Sequence, residues 1–290
     1  MNPEQTKICS FSHSNTSENN QKTFYGKKPI EIYLYIDPLC PKSWDIQPYL
    51  RKLTVQYGQY FTVRPVITKH FFTLNKVFIE HLDTIQKLHK QHMESEQKTD
   101  KVLSPWTIAL AIKAAELQGK KAGKLFLRKI QEAVFLDENF MVHSKHFLQC
   151  AELARLDITE FKKDIHSTTA KKALQCDLKL ANEMHVEQTP TIVLFNSLTD
   201  EAGIKLSGIH TYDIYTHVLL KALKMDVQPK KTPSLMDYFL ANEVVTTKEI
   251  SIVYDWSIKK ATNELKKLQL QQKIKEKKSP SDDSFWSLIE

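Results

Sequence analysis

The sequence predicts an α/β protein with a mixed central sheet, and three stretches carry that prediction. Ile30, Ile32, Leu34 and Ile36 alternate with Glu31, Tyr33 and Tyr35, a period-2 run with both faces largely apolar, as a strand inside a sheet requires. A turn follows, Asp37-Pro38-Leu39-Cys40-Pro41-Lys42-Ser43-Trp44, after which Ile46, Leu50, Leu53 and Tyr57 recur at helical spacing as far as Gly58. Far along the chain, Gln188-Thr189-Pro190-Thr191 opens the apolar run Ile192 to Phe195, with proline at a strand start where no ladder bond is lost.

Between and beyond these stretches the elements follow in order. Phe61 to Ile67 reads as a second strand, and two strands around one helix make a right-handed parallel βαβ unit. Residues 78 to 99 read as a polar helix. Ser104-Pro105 supplies an N-cap and a first-turn proline for a helix with Ile108, Ala109, Ile112 and Ala115 on one stripe. Gly119 and Gly123 mark the join to a helix carrying Leu125, Phe126, Ile130 and Val134. A third helix is expected from about 144 to 155, a fourth capped by Asp157 or Thr159, and a fifth capped by Thr168 or Thr169. A short antiparallel strand at 204 to 208 and a helix carrying Ile214, Val218, Leu219 and Leu223 close this part. Cys150 and Cys176 fall on apolar helix faces and read as inert core thiols.

The two motif turns together resemble the active-site region of a thioredoxin-like fold with one cysteine missing. In that fold a Cys-Pro turn opens a helix and stands opposite an X-Pro bond in the cis form, so Thr189-Pro190 is expected to be cis. A sulfur at a helix start is biased toward thiolate. Dithiol exchange needs a second thiol three positions on, and that position is Ser43.

Composition narrows the classes. The 290 residues are 41% hydrophobic and 26% charged, with 6 glycines, as in a helix-rich globular protein. No apolar run of about 18 residues offers a membrane span, and the first residues lack the apolar core of a signal peptide. Four cysteines without a disulfide framework favour a reducing cytoplasm. The net charge of +7 is partly local, since eight lysines stand against Glu264 and Glu276 between residues 259 and 278. A solvated helix face accounts for them, and nucleic acid is not an expected partner.

The domain reading is a disordered tail over 1–27, in which Cys9 and His13 are too few for a metal site, and a thioredoxin-like domain over 28–225. That domain carries a helical insertion at about 78–185. A proline-bearing linker over 226–233 leads to a small helical, winged-helix-like domain over 234–290, with helices capped by Thr246 or Thr247 and by Ser257.

The chain resembles the SpxH/YjbH family of cytoplasmic adaptors, which present the redox-responsive transcription regulator Spx to the ClpXP protease in Gram-positive bacteria. The resemblance runs from about residue 29 to 286. It rests on Ile30-Glu31-Ile32-Tyr33 with Asp37-Pro38-Leu39-Cys40-Pro41, on Ala114-Ala115-Glu116-Leu117-Gln118-Gly119-Lys120, on Leu174-Gln175-Cys176-Asp177, and on Pro190-Thr191 through Phe195-Asn196. It implies a DsbA-like fold, an additional carboxy-terminal domain, and a scaffold that binds Spx without cofactor, metal or chemistry of its own. Some relatives have Cys-x-x-Cys where this chain has Cys40 and Ser43, and some have a tail rich in His and Cys where this one has Cys9 and His13. The expected client groove is built from Pro41, Lys42, Ser43, Trp44, Gln188, Thr189 and Pro190. The alternative is a thiol-dependent oxidoreductase or thiol transferase working through Cys40 alone.

Overall fold

A computed structural model describes residues 28–68, 104–136, 144–278 and 284–289. The expected tail with Cys9 and His13, the expected helix at 78–99 and residues 279–283 lie outside the described residues. The chain opens with β1 (Ile30–Ile36), α1 (Pro41–Asp45), α2 (Gln47–Tyr57) and β2 (Phe61–Ile67). Among the described residues five helices follow: α3 (Pro105–Leu117), α4 (Lys120–Leu136), α5 (Ser144–Leu153), α6 (Ile158–Ile165) and α7 (Thr168–Glu183). Then come β3 (Thr191–Asn196), β4 (Ile204–Ser207) and α8 (Tyr212–Leu223).

The sheet has the order β2-β1-β3-β4, with β1 parallel to β2 and antiparallel to β3, and β3 antiparallel to β4. Alternation along β1 sends Ile30, Ile32, Leu34 and Ile36 to one face, where they join the main core with residues of α2, α3, α4 and α8. Tyr33 and Tyr35 point to the other face and meet Val66, Val193, Ala181 and Val186. A sheet covered on both faces needs apolar residues at both parities, which explains the tyrosines among the isoleucines.

Caps set the helix starts. Ser104 Oγ accepts the Thr107 N–H and Asp157 Oδ1 accepts the Glu160 N–H. For α7 the cap is Ser167, whose Oγ accepts the Ala170 N–H at 3.0 Å, in place of the expected Thr168 or Thr169. A hydroxyl serves as N-cap only from the non-helical residue at the entrance, and Ser167 holds that extended conformation. The helix after the Cys40 turn is broken in two at Ile46. Cys176 is half-buried, unlike the core residue expected; Cys150 is buried.

Helix α3 is buried on nearly every side from Ile108 to Ala115, and Lys113 is buried with it. Its ammonium group lies 2.5 Å from Asp177 of α7 and 2.9 Å from Glu116, with Lys113 and Asp177 each 1% exposed. Asp177 also accepts the backbone N–H of Ile67 at 3.0 Å, so one carboxylate joins α7, α3 and the end of β2. Helix α4 crosses α3 closely at Gly123, where a Cβ would stand 2.5 Å from the Glu116 Cγ and 2.9 Å from its Cα.

The remaining residues form a second apolar cluster around Tyr238, Phe239, Val245, Ile250, Leu265 and Trp286. Its elements are α9 (Leu235–Ala241), β5 (Val244–Thr246), α10 (Thr247–Tyr254), α11 (Ile258–Leu270), β6 (Ile274–Lys278) and β7 (Ser284–Leu288), with strand order β5-β7-β6. The order among the described residues is helix, strand, two helices and two strands. Residues 226–233 carry no helix or strand and cross α2, where the Lys230 N–H donates to Gln56 O at 2.9 Å.

The cluster docks on α2 and α4 through buried charge. Glu249, 2% exposed, receives Arg51 at 2.8 Å and the Tyr238 hydroxyl at 2.6 Å, and Arg128 lies 3.7 Å away. Burial, the largest influence, works against the charge on Arg51, but Glu249, Tyr238 and Glu132 together outweigh it and hold the guanidinium above its ordinary pKa. Lys52 pairs with Asp255, Lys129 with Glu243, and Lys248 with Asp45.

Two expected outcomes follow from this packing. Gly123→Ala improves helix propensity yet drives a methyl into the α3 backbone, so it should lower stability by about 1–3 kcal/mol in chemical denaturation. Asp177→Ala leaves the Lys113 ammonium buried with Glu116 as its remaining partner and should cost about 3 kcal/mol, read from the same unfolding midpoint.

Candidate functional site

The register puts the two sequence motifs at one end of the sheet. Tyr35 pairs with Thr191, so the turn leaving β1 and the loop entering β3 emerge from adjacent strand ends. The Thr189-Pro190 peptide bond is cis. Pro190 O accepts the Gly208 N–H at 2.8 Å, and Thr191 Oγ1 donates to Gln188 O at 2.8 Å. Gly208 has φ +87°, and a Cβ there would stand 3.7 Å from the Gln188 amide nitrogen, so the loop after β4 lies against the proline loop.

The Cys40 turn is folded around Asp37, which is itself buried. Asp37 O accepts the Cys40 N–H at 3.1 Å, Asp37 Oδ1 accepts the Leu39 N–H at 2.9 Å, and the Asp37 N–H donates to Ser43 Oγ at 3.2 Å. Ser43 is 0% exposed and also donates its N–H to Cys40 O at 2.9 Å. Its hydroxyl therefore fastens the turn from beneath. Cys40 stands half-buried at the entrance of α1, a helix of five residues.

Among the described residues Cys40, Cys150 and Cys176 take part in no disulfide. Cys150 lies in the core, where burial pushes its thiol up to about 12, so it stays protonated and inert at neutral pH. Among the described residues no group of three or more His, Cys, Asp or Glu side chains is arranged to hold a metal ion. No helix among them is long and apolar enough to cross a membrane.

The seven residues expected to line a client groove divide into a rim of four, a floor of two, and Trp44. Pro41, Lys42 and Gln188 are exposed and Thr189 is half-buried, so these form an accessible rim. Ser43 and Pro190 are buried and form the floor of the turn and loop. Trp44 is half-buried between two side chains. Phe135 lies on it at 5.6 Å between ring centroids with planes 30° apart, and the Arg128 guanidinium sits 4.3 Å from the ring centroid. Neither Phe135 nor Arg128 was singled out from the sequence. Both belong to α4, some 90 residues away in the chain, and only long-range packing brings them to the turn.

The lysines of α11 fall as the sequence suggests. Lys259, Lys260, Lys266 and Lys267 are exposed along one helix, with Lys267 paired to Glu264 and Lys260 over the Trp256 ring. Helix α10, which precedes it, packs on α2.

A family model described as thioredoxin matches residues 33–217. A probable DsbA oxidoreductase from Streptomyces coelicolor superposes on 71% of this chain and 94% of its own, with a TM-score of 0.51 at 13% identity, a likeness of fold. Proteins named ClpXP adapter protein SpxH are similar over most of both chains. The one from Bacillus cereus is 40% identical over 257 residues, covering 85% of this chain and 86% of the relative. The one from Bacillus subtilis is 39% identical over 273 residues, covering 91% of each. At this identity over most of both chains, the chain belongs to the family of ClpXP adapter proteins SpxH.

Proposed function

We propose that this protein is a non-catalytic adaptor of the cytoplasm, which binds an Spx-like transcription regulator and presents it to the ClpXP protease. Ser43 is the observation that carries the absence of chemistry. A thiol at this position would resolve a mixed disulfide formed at Cys40; a buried hydroxyl that accepts the Asp37 N–H holds the turn in shape and does nothing to sulfur. The relatives' name supports the adaptor role, and free thiols fit a reducing compartment. The client groove in this reading runs along the rim formed by Pro41, Lys42, Gln188 and Thr189, with Trp44 as its apolar edge. Neither membrane nor nucleic acid has a part in it.

Degradation of the regulator in a reconstituted reaction with ClpXP tests the scaffold. Cys40→Ser should deliver it at the wild-type rate, and loss of delivery by a folded Cys40→Ser protein would return the single-thiol alternative. For the groove, Lys42→Glu together with Gln188→Trp should weaken regulator binding by about tenfold, as removal of a contact hot spot does. Calorimetry measures this directly, and unchanged affinity with an unchanged melting temperature would move the contact elsewhere.

A further inference from the structure

Helix α1 carries three residues of the proposed rim and floor and one more of its edge, yet it has only five residues and no side-chain cap at its start. A helix of this length does not hold itself in water, so neighbours must fix it. Arg128 and Lys248 are two of them. Trp44 lies under Arg128, and Asp45 receives Lys248 at 2.6 Å. Lys248 belongs to α10 in the second apolar cluster. Arg128 belongs to α4, but its guanidinium also reaches that cluster: Nη2 is 3.7 Å from Glu249 and 3.5 Å from the carbonyl of Val244, while Nε donates to Glu132 at 2.8 Å.

Arg128 is thus shared between the turn and the carboxy-terminal unit. Its Nη1 is buried with no hydrogen-bond partner among the described residues. Burial and the neighbouring Arg51 push its guanidinium below its ordinary pKa, against Glu132 and Glu249. The group has one close partner on its own helix, Glu132, and two more distant ones in the carboxy-terminal unit, Glu249 and Val244, so the placement of its Nη2 side depends on that unit. If α10 withdraws together with β5, Arg128 loses Glu249 and Val244 and Asp45 loses Lys248, which leaves Trp44 with Phe135 and an Arg128 held by Glu132 alone.

We propose that Arg128 is a positioning residue that ties the Cys40–Trp44 turn to the carboxy-terminal unit, so that α1 keeps its geometry only while α10 is docked. The role of this unit is then to set the shape of the groove, whether or not it touches a client. The consequence for client binding rests on the groove reading above; the coupling itself does not, because Cys40 reports on the turn directly.

The test uses the full-length protein and follows each cysteine by peptide-resolved alkylation with iodoacetamide, together with amide hydrogen exchange over residues 42–46. Arg128→Lys keeps the charge but loses the planar stack on Trp44, and Glu249→Gln keeps the shape but loses the charge. Each should speed Cys40 alkylation and α1 exchange by about tenfold, while Cys150 stays protected and so certifies the fold. Lys248→Met, at a pair whose side chains are 45% and 41% exposed, should speed α1 exchange by about twofold to threefold. Unchanged Cys40 alkylation in folded Arg128→Lys and Glu249→Gln overturns the coupling. Should those two expose Cys150 by unfolding, unchanged exchange in Lys248→Met overturns it instead. Variants that loosen α1 yet bind the regulator as the wild type does leave the positioning role standing and remove the groove reading.

Discussion

Asp177 is the carboxylate on which the first unit's architecture depends. It lies at the seam between α7, α3 and the sheet, 1% exposed, and a charge there is tolerable only when it is paired. Lys113 from α3 and the Ile67 amide from β2 both meet its Oδ2, while Oδ1 has no hydrogen-bond partner among the described residues and faces Arg64 at 3.7 Å. A hydrophobic contact between α3 and α7 permits sliding. A carboxylate that must meet an ammonium group and a backbone amide together does not, so register between insertion and sheet is fixed where β2 ends. That in turn fixes α4, which packs on α3 through Gly123 and carries Arg128 and Phe135 to the Cys40 turn.

Glu249 plays the matching part between the two apolar clusters. Arg51 and Arg128 come from the first unit, while Glu249 and Tyr238 come from the second. Two arginines buried near one another repel, and after burial it is Arg51 that most holds Arg128 below its ordinary pKa. The carboxylate between them makes the junction possible, and its absence would leave both cations short of charge. An interface with such a centre is a specific one: few orientations of the second unit satisfy both guanidinium groups, the Lys52–Asp255 pair and the Lys248–Asp45 pair together.

Most of the first unit was legible in the sequence because its signals are local. Strand alternation at 30–36, the apolar run after Pro190 and the capped helix starts depend on near neighbours alone. Thr168 and Thr169 look as suitable for capping as Ser167 when only residue type is considered, and the backbone conformation that decides among them is not written in composition. The strands of the second unit escaped because Ile274-Lys275-Glu276-Lys277-Lys278 has almost no apolar alternation. It is a strand through its ladder with β7, whose Trp286 fills the core and donates to Thr247 at 3.0 Å. The runs Ala114 to Lys120 and Leu174 to Asp177 were legible as family marks without their reason. The structure supplies it: they bring the close crossing at Gly123 and the Asp177 seam into place. At the candidate site, Cys40, Lys42 and Gln188 could be placed from the chain alone, whereas the neighbours of Trp44 could not.

A thioredoxin-type turn that has lost its second thiol still needs something at that position. A buried residue there faces the Asp37 N–H, and a side chain without an acceptor would leave that donor unsatisfied in the interior. Serine supplies the acceptor with nearly the volume of cysteine and with a better lone pair for an amide proton. The turn can therefore keep its backbone and its helix entrance while giving up exchange chemistry. On the adaptor reading proposed above, the rim beside it serves binding better without a dithiol, since a client that must be released to a protease cannot stay bonded through sulfur to the protein that delivers it.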